Sequence, residues 1–296
     1  MAQREPQRLQ HKVASDWDAR VFIEGVGDAE RRLEITPEKA GWEYLSFRTY
    51  TFRAGQVIEG ESAGDEMCMV LLSGAITMEA AGQTWRCDGR PSVFAGLPHA
   101  VYLPPGQTYR MTVHEDSDCA YGRAPAEGTL PPRLITPDDV KVEIRGGHNA
   151  TRQITHILDP GDAEKLLCVE VYTPSGNWSS YPPHRHDVQA PPDDVYLEEV
   201  YYFRINPEDG WALQRLYTDD RSLDEVVVVE HGDAVMIRRG YHPVVAAPGY
   251  DAYYLNFLAG PTPSWAARDE PRLAWVRDHW QGREDRLRLP LAGTGR

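Results

Sequence analysis

The chain has 296 residues, 41% of them hydrophobic, enough for one large domain or two ordinary ones with real cores, which excludes a disordered polypeptide. Acidic residues outnumber basic ones 45 to 31, giving a net charge of −14, and so negative a surface excludes general binding to nucleic-acid phosphates. It does not exclude a small anionic substrate, because a few arginines inside a pocket outweigh a diffuse surface field.

The opening residues MAQREPQRLQHKV carry charges but no apolar run after them, so no secretory signal is expected. Apolar stretches such as Val226–Val229 are too short to cross a bilayer, and a cytoplasmic location is expected. The four cysteines, Cys68, Cys87, Cys119 and Cys168, form no CxxC pair, and they read as buried thiols in a reducing compartment.

Along the chain, short runs rich in Val, Tyr, Phe, Leu and Ile alternate with Gly, Pro, Asp and Asn clusters. They include MCMVLLSGAITMEA (67–80), HAVYLPPG (99–106), KLLCVEVYTP (165–174), EEVYYFRI (198–205), WALQRLYT (211–218), EVVVVEHGDAVMI (225–237) and AYYLNFLAG (252–260). This spacing predicts an all-β sandwich or barrel. The stretch 263–280 has apolar residues at helical spacing and predicts a C-terminal helical segment packed on the outside.

Two similar halves are visible. GRPSVFAGLPHAVYLPPG (89–106) and HGDAVMIRRGYHPVVAAPG (231–249) each place a lone histidine after a Gly-containing turn, and the Pro-rich, acidic stretch 127–139 reads as a linker. An internal duplication of a small β-barrel fits these features.

The segment SSYPPHRHDVQAPPDDVYLEEVYYF (179–203) is the most informative. Alternation along an extended strand puts His184 and His186 on one side, within reach of a single ion. Glu199 and then His242 complete three imidazoles and one carboxylate, a set that suits Zn, Mn, Fe, Co or Ni. Glu198 and Glu199 face opposite ways, so only one of them can be the ligand; Glu199 is taken, which turns Tyr201 and Phe203 inward with it. The first half offers Glu59, Glu61, Glu66 and His99 at the corresponding place; these read as a solvated strand face and a packed histidine, making this half structural.

The HxH, Glu and His pattern resembles that of the cupin superfamily. More closely, most of the chain, from about residue 45 to 260, resembles the 5-deoxy-glucuronate isomerase family of bacterial inositol catabolism. The matching pieces are GRPSVF (89–94), RGGHNATRQITHIL (145–158), PPHRHD (182–187), 197–220 and 232–260. The same ligands occur in a related family of pectin-derived uronate ketol isomerases. Twelve residues (187–198) separate His186 from Glu199, far more than in the general cupin pattern, while Arg238 and Ala246 replace the usual proline and asparagine of the second motif.

The resemblance implies a bicupin: a degenerate N-terminal cupin barrel over residues 1–140, a metal-binding one over 141–262 and a helical tail over 263–296. It also implies an aldose–ketose isomerase that converts 5-deoxy-D-glucuronate to 5-dehydro-2-deoxy-D-gluconate with one divalent metal ion, zinc first among the alternatives. Tyr201, Glu170, His156 or a metal-bound hydroxide is then the base, and Arg152, Arg204 and Arg215 are the candidates for the substrate carboxylate. A cupin dioxygenase and a non-catalytic sugar-binding bicupin are the competing readings. No nucleic-acid or membrane partner is expected; a homo-oligomer is.

Overall fold

A computed structural model describes residues 30–280. Parts of the expected N-terminal unit (1–29) and tail (281–296) lie outside the described residues. Strands dominate. Among the described residues the α-helix is limited to one turn, Pro37–Ala40, capped by Thr36 at its start and by Gly41 at φ 69° at its end.

Among the described residues, the N-terminal half is an antiparallel sheet of eight strands, from Glu30–Ile35 to Arg133–Ile135. Its spine is the pairing of Asp65–Ala80 with Thr108–Pro125. Register shifts between Leu71 and Ile76 bend this ladder. Gly74 sits in the bend at φ 96°, where a Cβ would stand 2.2 Å from Ser117 Oγ and 2.5 Å from Asp116 O, so a side chain does not fit. The stretch read as a linker contributes the short strand Arg133–Ile135, which pairs with His99–Leu103.

The C-terminal half has two facing sheets. One has six strands in the order Ala234–Ile237, Glu198–Asn206, Asp251–Ala259, Leu166–Thr173, Arg152–Leu158, Lys141–Arg145. The other has four: Trp178–Ser179, Val244–Ala246, Trp211–Tyr217 and Asp224–Glu230. Strand alternation decides which core each side chain joins. Val169, Val171, Tyr201, Phe203 and Ile205 point between the two sheets. Cys168, Tyr172, Val200 and Tyr202 point the other way, into a core shared with Phe47, Cys68 and Val70 of the N-terminal half.

The two halves therefore pack sheet face on sheet face. Phe47 lies 5.8 Å from the Tyr202 ring and 5.9 Å from Phe257. Each such aromatic contributes roughly 1.5–3 kcal/mol by burial. All four cysteines are buried and unpaired, as their apolar surroundings imply.

The C-terminal segment departs from the helical expectation. Pro271 interrupts the periodic stretch, and Arg268–Asp269 before it is extended and pairs with His184–Arg185. Among the described residues of this segment, Ala274–His279 alone coils, as a six-residue 3-10 helix.

Candidate metal centre

The twelve residues between His186 and Glu199 fold as a two-stranded hairpin, Asp187–Ala190 with Asp194–Tyr196. The Leu197 amide then donates to His186 O at 2.9 Å and brings the chain back beside the histidines. The long spacing is thus closed by local pairing. In Glu198–Asn206, Glu199 shares the inward face with Tyr201 and Phe203. Glu198 faces the N-terminal half, where it accepts the amides of Glu43, Tyr44 and Leu45. His242 follows a turn at Gly240, whose φ of 85° and 2.4 Å Cβ approach to Tyr217 O require glycine.

Glu199 Oε2 lies 2.9 Å from His186 Nε2 and 3.4 Å from His242 Nε2, and its Oε1 accepts from Asn256 Nδ2 at 2.7 Å. Ligand atoms of His186, Glu199 and His242 all lie within 4.8 Å of one another. His184 is adjacent, its ring 4.8 Å from that of His242 and 6.4 Å from that of His186, but outside this tight trio.

Each imidazole has a backbone carbonyl at Nδ1: Leu197 O for His186, Gly240 O for His242 and, at 3.4 Å, Pro182 O for His184. Assigning the proton to Nδ1 in each leaves the Nε2 lone pairs for a common centre, the arrangement that outer-shell bonds give metal-binding histidines. Burial pushes His184 and His242 down to about 3, so both are neutral at ordinary pH, the form a metal requires. For His186, burial works in the same direction, but the Glu199 carboxylate outweighs it and the net shift is upward.

The donor set fits a divalent cation. His242 Nε2 is buried without a hydrogen-bond partner, and an unpaired nitrogen beside a carboxylate is costly unless a cation satisfies both.

Beside these groups is a cavity of about 170 Å³ lined by His184, His186 and Glu199 and by Arg152, His156 and Tyr201. Arg152 is buried, donates to Ala150 O at 3.0 Å and lies 5.2 Å over the Trp280 ring. Its Nε has no partner, no carboxylate pairs with it among the described residues, and burial pulls it down to about 10. His156 Nδ1 is 2.8 Å from Asp159 Oδ1, while Nε2 stands 3.4 Å from Glu143 Oε2 without forming a hydrogen bond. The Tyr201 hydroxyl pairs with Ser180 Oγ at 2.8 Å, and burial keeps this phenol protonated.

Three sequence candidates lie elsewhere, and strand parity explains each. Glu170 alternates with Val169 and Val171 and faces the other half, where Arg90 Nη2 holds both its oxygens at 2.7 and 2.8 Å. Arg204 shares the face of Val200 and Tyr202 and pairs with Asp118 at 3.0 Å. Arg215 points outward and forks onto Asp224 at 2.8 and 2.9 Å. In the N-terminal half, Glu59, Glu61, Glu66 and His99 form no common metal-ligating group among the described residues. Glu59 is exposed and pairs with Arg110; Glu66 is buried and fully engaged with backbone amides of the other half.

Sequence reasoning missed Asn256, Arg145, Trp265 and Arg277, all four of which line the cavity. Asn256 was legible in principle: a lone amide inside the apolar run AYYLNFLAG, opposite Tyr201 on the neighbouring strand. The others carry no local signal.

Comparison with known proteins identifies the family and the fold. The profile of the KduI/IolB family matches residues 23–276. A 5-deoxy-glucuronate isomerase of Geobacillus thermodenitrificans is 47% identical over 249 residues, 83% of this chain and 91% of that protein. One of Bacillus subtilis strain 168 is 39% identical over 247 residues, 82% and 91% of the respective chains. The crystal structure of an IolB-like protein from Salmonella typhimurium LT2 superposes with a TM-score of 0.81 at 42% identity, covering 83% of this chain and 95% of that one. An oxalate decarboxylase of Lactobacillus farciminis, 12% identical with a TM-score of 0.62 over 88% and 89%, shares the fold. With its architecture and most of its length matched in this way, the chain belongs to the KduI/IolB family.

Proposed function

We propose that this protein is an aldose–ketose isomerase acting on 5-deoxy-D-glucuronate in inositol catabolism. The observation that carries the reading is the convergence of His186, Glu199 and His242 beside a cavity whose wall holds the buried Arg152, which pairs with no carboxylate among the described residues. The relatives named for this activity support the substrate.

His184, His186, Glu199 and His242 would hold one divalent ion, zinc in the first instance. When bound, the ion supplies Lewis acidity that stabilises negative charge on substrate oxygens. Arg152 binds the substrate carboxylate: a buried guanidinium without a counter-ion gains most from a carboxylate that matches its fork. His156 gives its Nδ1 proton to the hydrogen bond with Asp159, so Nε2 is left to accept. It removes the proton from the carbon next to the aldehyde and returns it to the former aldehyde carbon, while the hydroxyl proton moves between the two oxygens. Tyr201, held as a phenol, donates rather than accepts. The four reduced, buried thiols suit a cytoplasmic setting.

Chelator-stripped protein is restored with Zn, Mn, Fe, Co or Ni singly, and 5-deoxy-glucuronate is followed by proton NMR in D₂O. Loss of the aldehyde signal that depends on metal, with deuterium entering the product, is the expected result. A protein that binds metal yet turns over none of the sugar acid overturns the reading.

A further inference from the structure

The segment Ser264–His279 lies across the metal pocket as a strap. Trp265 and Arg277 line the cavity, and Trp265 Nε1 donates to Asp159 Oδ1 at 2.7 Å. More telling is what the strap does for the histidine strand. His184–Arg185 forms a sheet with one other strand, Arg268–Asp269, and His184 lies directly opposite Asp269.

The other three groups are anchored independently of the strap. Glu199 pairs on both sides within the six-stranded sheet, with Ile237 and with Leu258. His186 is tied to Leu197 through both its carbonyl and its Nδ1. His242 is held by Gly240 O and fully buried. His184 has a long 3.4 Å contact from Nδ1 to Pro182 O and otherwise a two-residue strand pair, and so small a ladder has little stability of its own.

What holds that ladder is Glu270. Its amide donates to Pro183 O at 2.8 Å, one residue before His184. Glu270 is 3% exposed; its carboxylate accepts the Tyr217 hydroxyl, and Arg272 closes it from outside at 2.9 Å. Arg277 Nη2 bonds Asp269 Oδ1 at 2.7 Å and ties the end of the strap back on itself.

We propose that Glu270 is a positioning residue that latches the strap and thereby seats His184 as the fourth donor beside the His186, Glu199 and His242 trio. This rests on the reading of the trio as a metal centre. Without the latch the trio remains intact, but His184 is no longer held beside it. The strap is thus part of the site, and the metal senses whether it is docked.

Zn²⁺ is titrated against a chromophoric chelator for the full chain and for Tyr217→Phe, Glu270→Ala, His184→Ala and the Glu270→Ala/His184→Ala double variant. Glu270→Ala is expected to weaken binding by about 10-fold or more, as loss of an outer-shell support does. Tyr217→Phe shifts affinity the same way by less. In the His184→Ala background, Glu270→Ala adds less than about twofold, because its effect runs through the missing histidine. Unchanged Zn²⁺ affinity in Glu270→Ala, or losses that multiply in the double variant, overturns the proposal while leaving the metal reading standing. An unmutated chain that takes no divalent ion overturns both. If Glu270→Ala does not fold, by near-ultraviolet circular dichroism, Tyr217→Phe carries the comparison, since it deletes one hydroxyl and keeps the ring against Tyr241.

Discussion

Glu66 and Glu198 make the same bond in opposite directions across the two halves. Glu66, from the N-terminal sheet, accepts the backbone amides of Glu164, Lys165 and Leu166 at 2.8, 2.7 and 2.8 Å. Glu198, from the C-terminal sheet, accepts those of Glu43, Tyr44 and Leu45 at 2.6, 2.9 and 2.8 Å. Each also takes a tyrosine hydroxyl, Tyr102 at 2.8 Å and Tyr196 at 3.2 Å. The two halves are therefore joined by a reciprocal clamp. If Glu66 corresponds to Glu198, then Met67 stands where Glu199 stands, and a thioether packed in the second core replaces the carboxylate donor. On that correspondence the half lacks the carboxylate donor as well as the HxH pair, and it shows no metal-ligating group among its described residues.

The clamp predicts matched stability losses. Replacing either glutamate with alanine leaves three amides without their charged acceptor, and each unsatisfied group costs about 1–3 kcal/mol. Glu66→Ala and Glu198→Ala should each lower the thermal midpoint, by on the order of 10 °C for a chain of this size. Zn²⁺ binding by the folded fraction of Glu198→Ala should persist, since Glu199 is the group facing the histidines. Loss of metal with an unchanged midpoint would reverse the assignment of the two neighbouring glutamates.

Arg90 and Glu170 give a second prediction. Both side chains are fully buried, and the pair is completed by the Tyr253 hydroxyl on Glu170 at 2.8 Å and by Leu71 O on Arg90 at 2.6 Å. Arg90→Met strands the carboxylate and should cost about 3–5 kcal/mol in urea unfolding, much of it recovered in Arg90→Met/Glu170→Leu. Turnover per folded molecule in the double variant should stay near that of the unmutated chain, because Glu170 faces away from the cavity. A selective collapse of turnover would return Glu170 to the reaction.

The binding of the substrate carboxylate can be separated from the chemistry. Arg152→Ala should raise KM for the sugar acid by about 10- to 100-fold, the worth of a charged hydrogen-bonded contact. Arg204→Ala and Arg215→Ala should leave KM unchanged. Steady-state kinetics on the three variants decides it, and an equal effect from Arg215→Ala would place the carboxylate elsewhere.

How much of this was legible in the sequence follows strand periodicity. The β architecture, the two halves and the inward set of Glu199, Tyr201 and Phe203 all depend on alternation, which a sequence carries openly. The same rule, with Tyr201 and Phe203 turned inward, already turns Arg204 toward the other half, whereas Glu170 needed Val169 to be known to face the cavity. Their partners, Arg90 and Asp118, lie in the other half of the chain, and nothing local announces such pairs. The strap misled for a different reason. Its apolar residues fall at helical spacing, but backbone pairing of Arg268–Asp269 to His184–Arg185 keeps the middle extended, and no local signal announces that pairing.

The last prediction concerns the proton. His156 is oriented by Asp159, whose Oδ1 also receives Trp265 Nε1, so the carboxylate is fixed from two sides. His156→Gln keeps the volume of the ring approximately but supplies no base, and kcat should fall by about 10²- to 10⁴-fold. Zn²⁺ affinity should be unaffected, since His156 touches none of His184, His186, Glu199 and His242 through any hydrogen bond or ring contact described. Asp159→Asn keeps the shape but no longer favours the Nδ1-protonated tautomer; it should lower kcat more than it raises KM. The measurement is kcat together with deuterium uptake at the product carbon in D₂O. Retained turnover with normal uptake in His156→Gln would remove this histidine from the proton transfer and leave Tyr201, whose hydroxyl pairs with Ser180 Oγ in the cavity wall, as the candidate to test next.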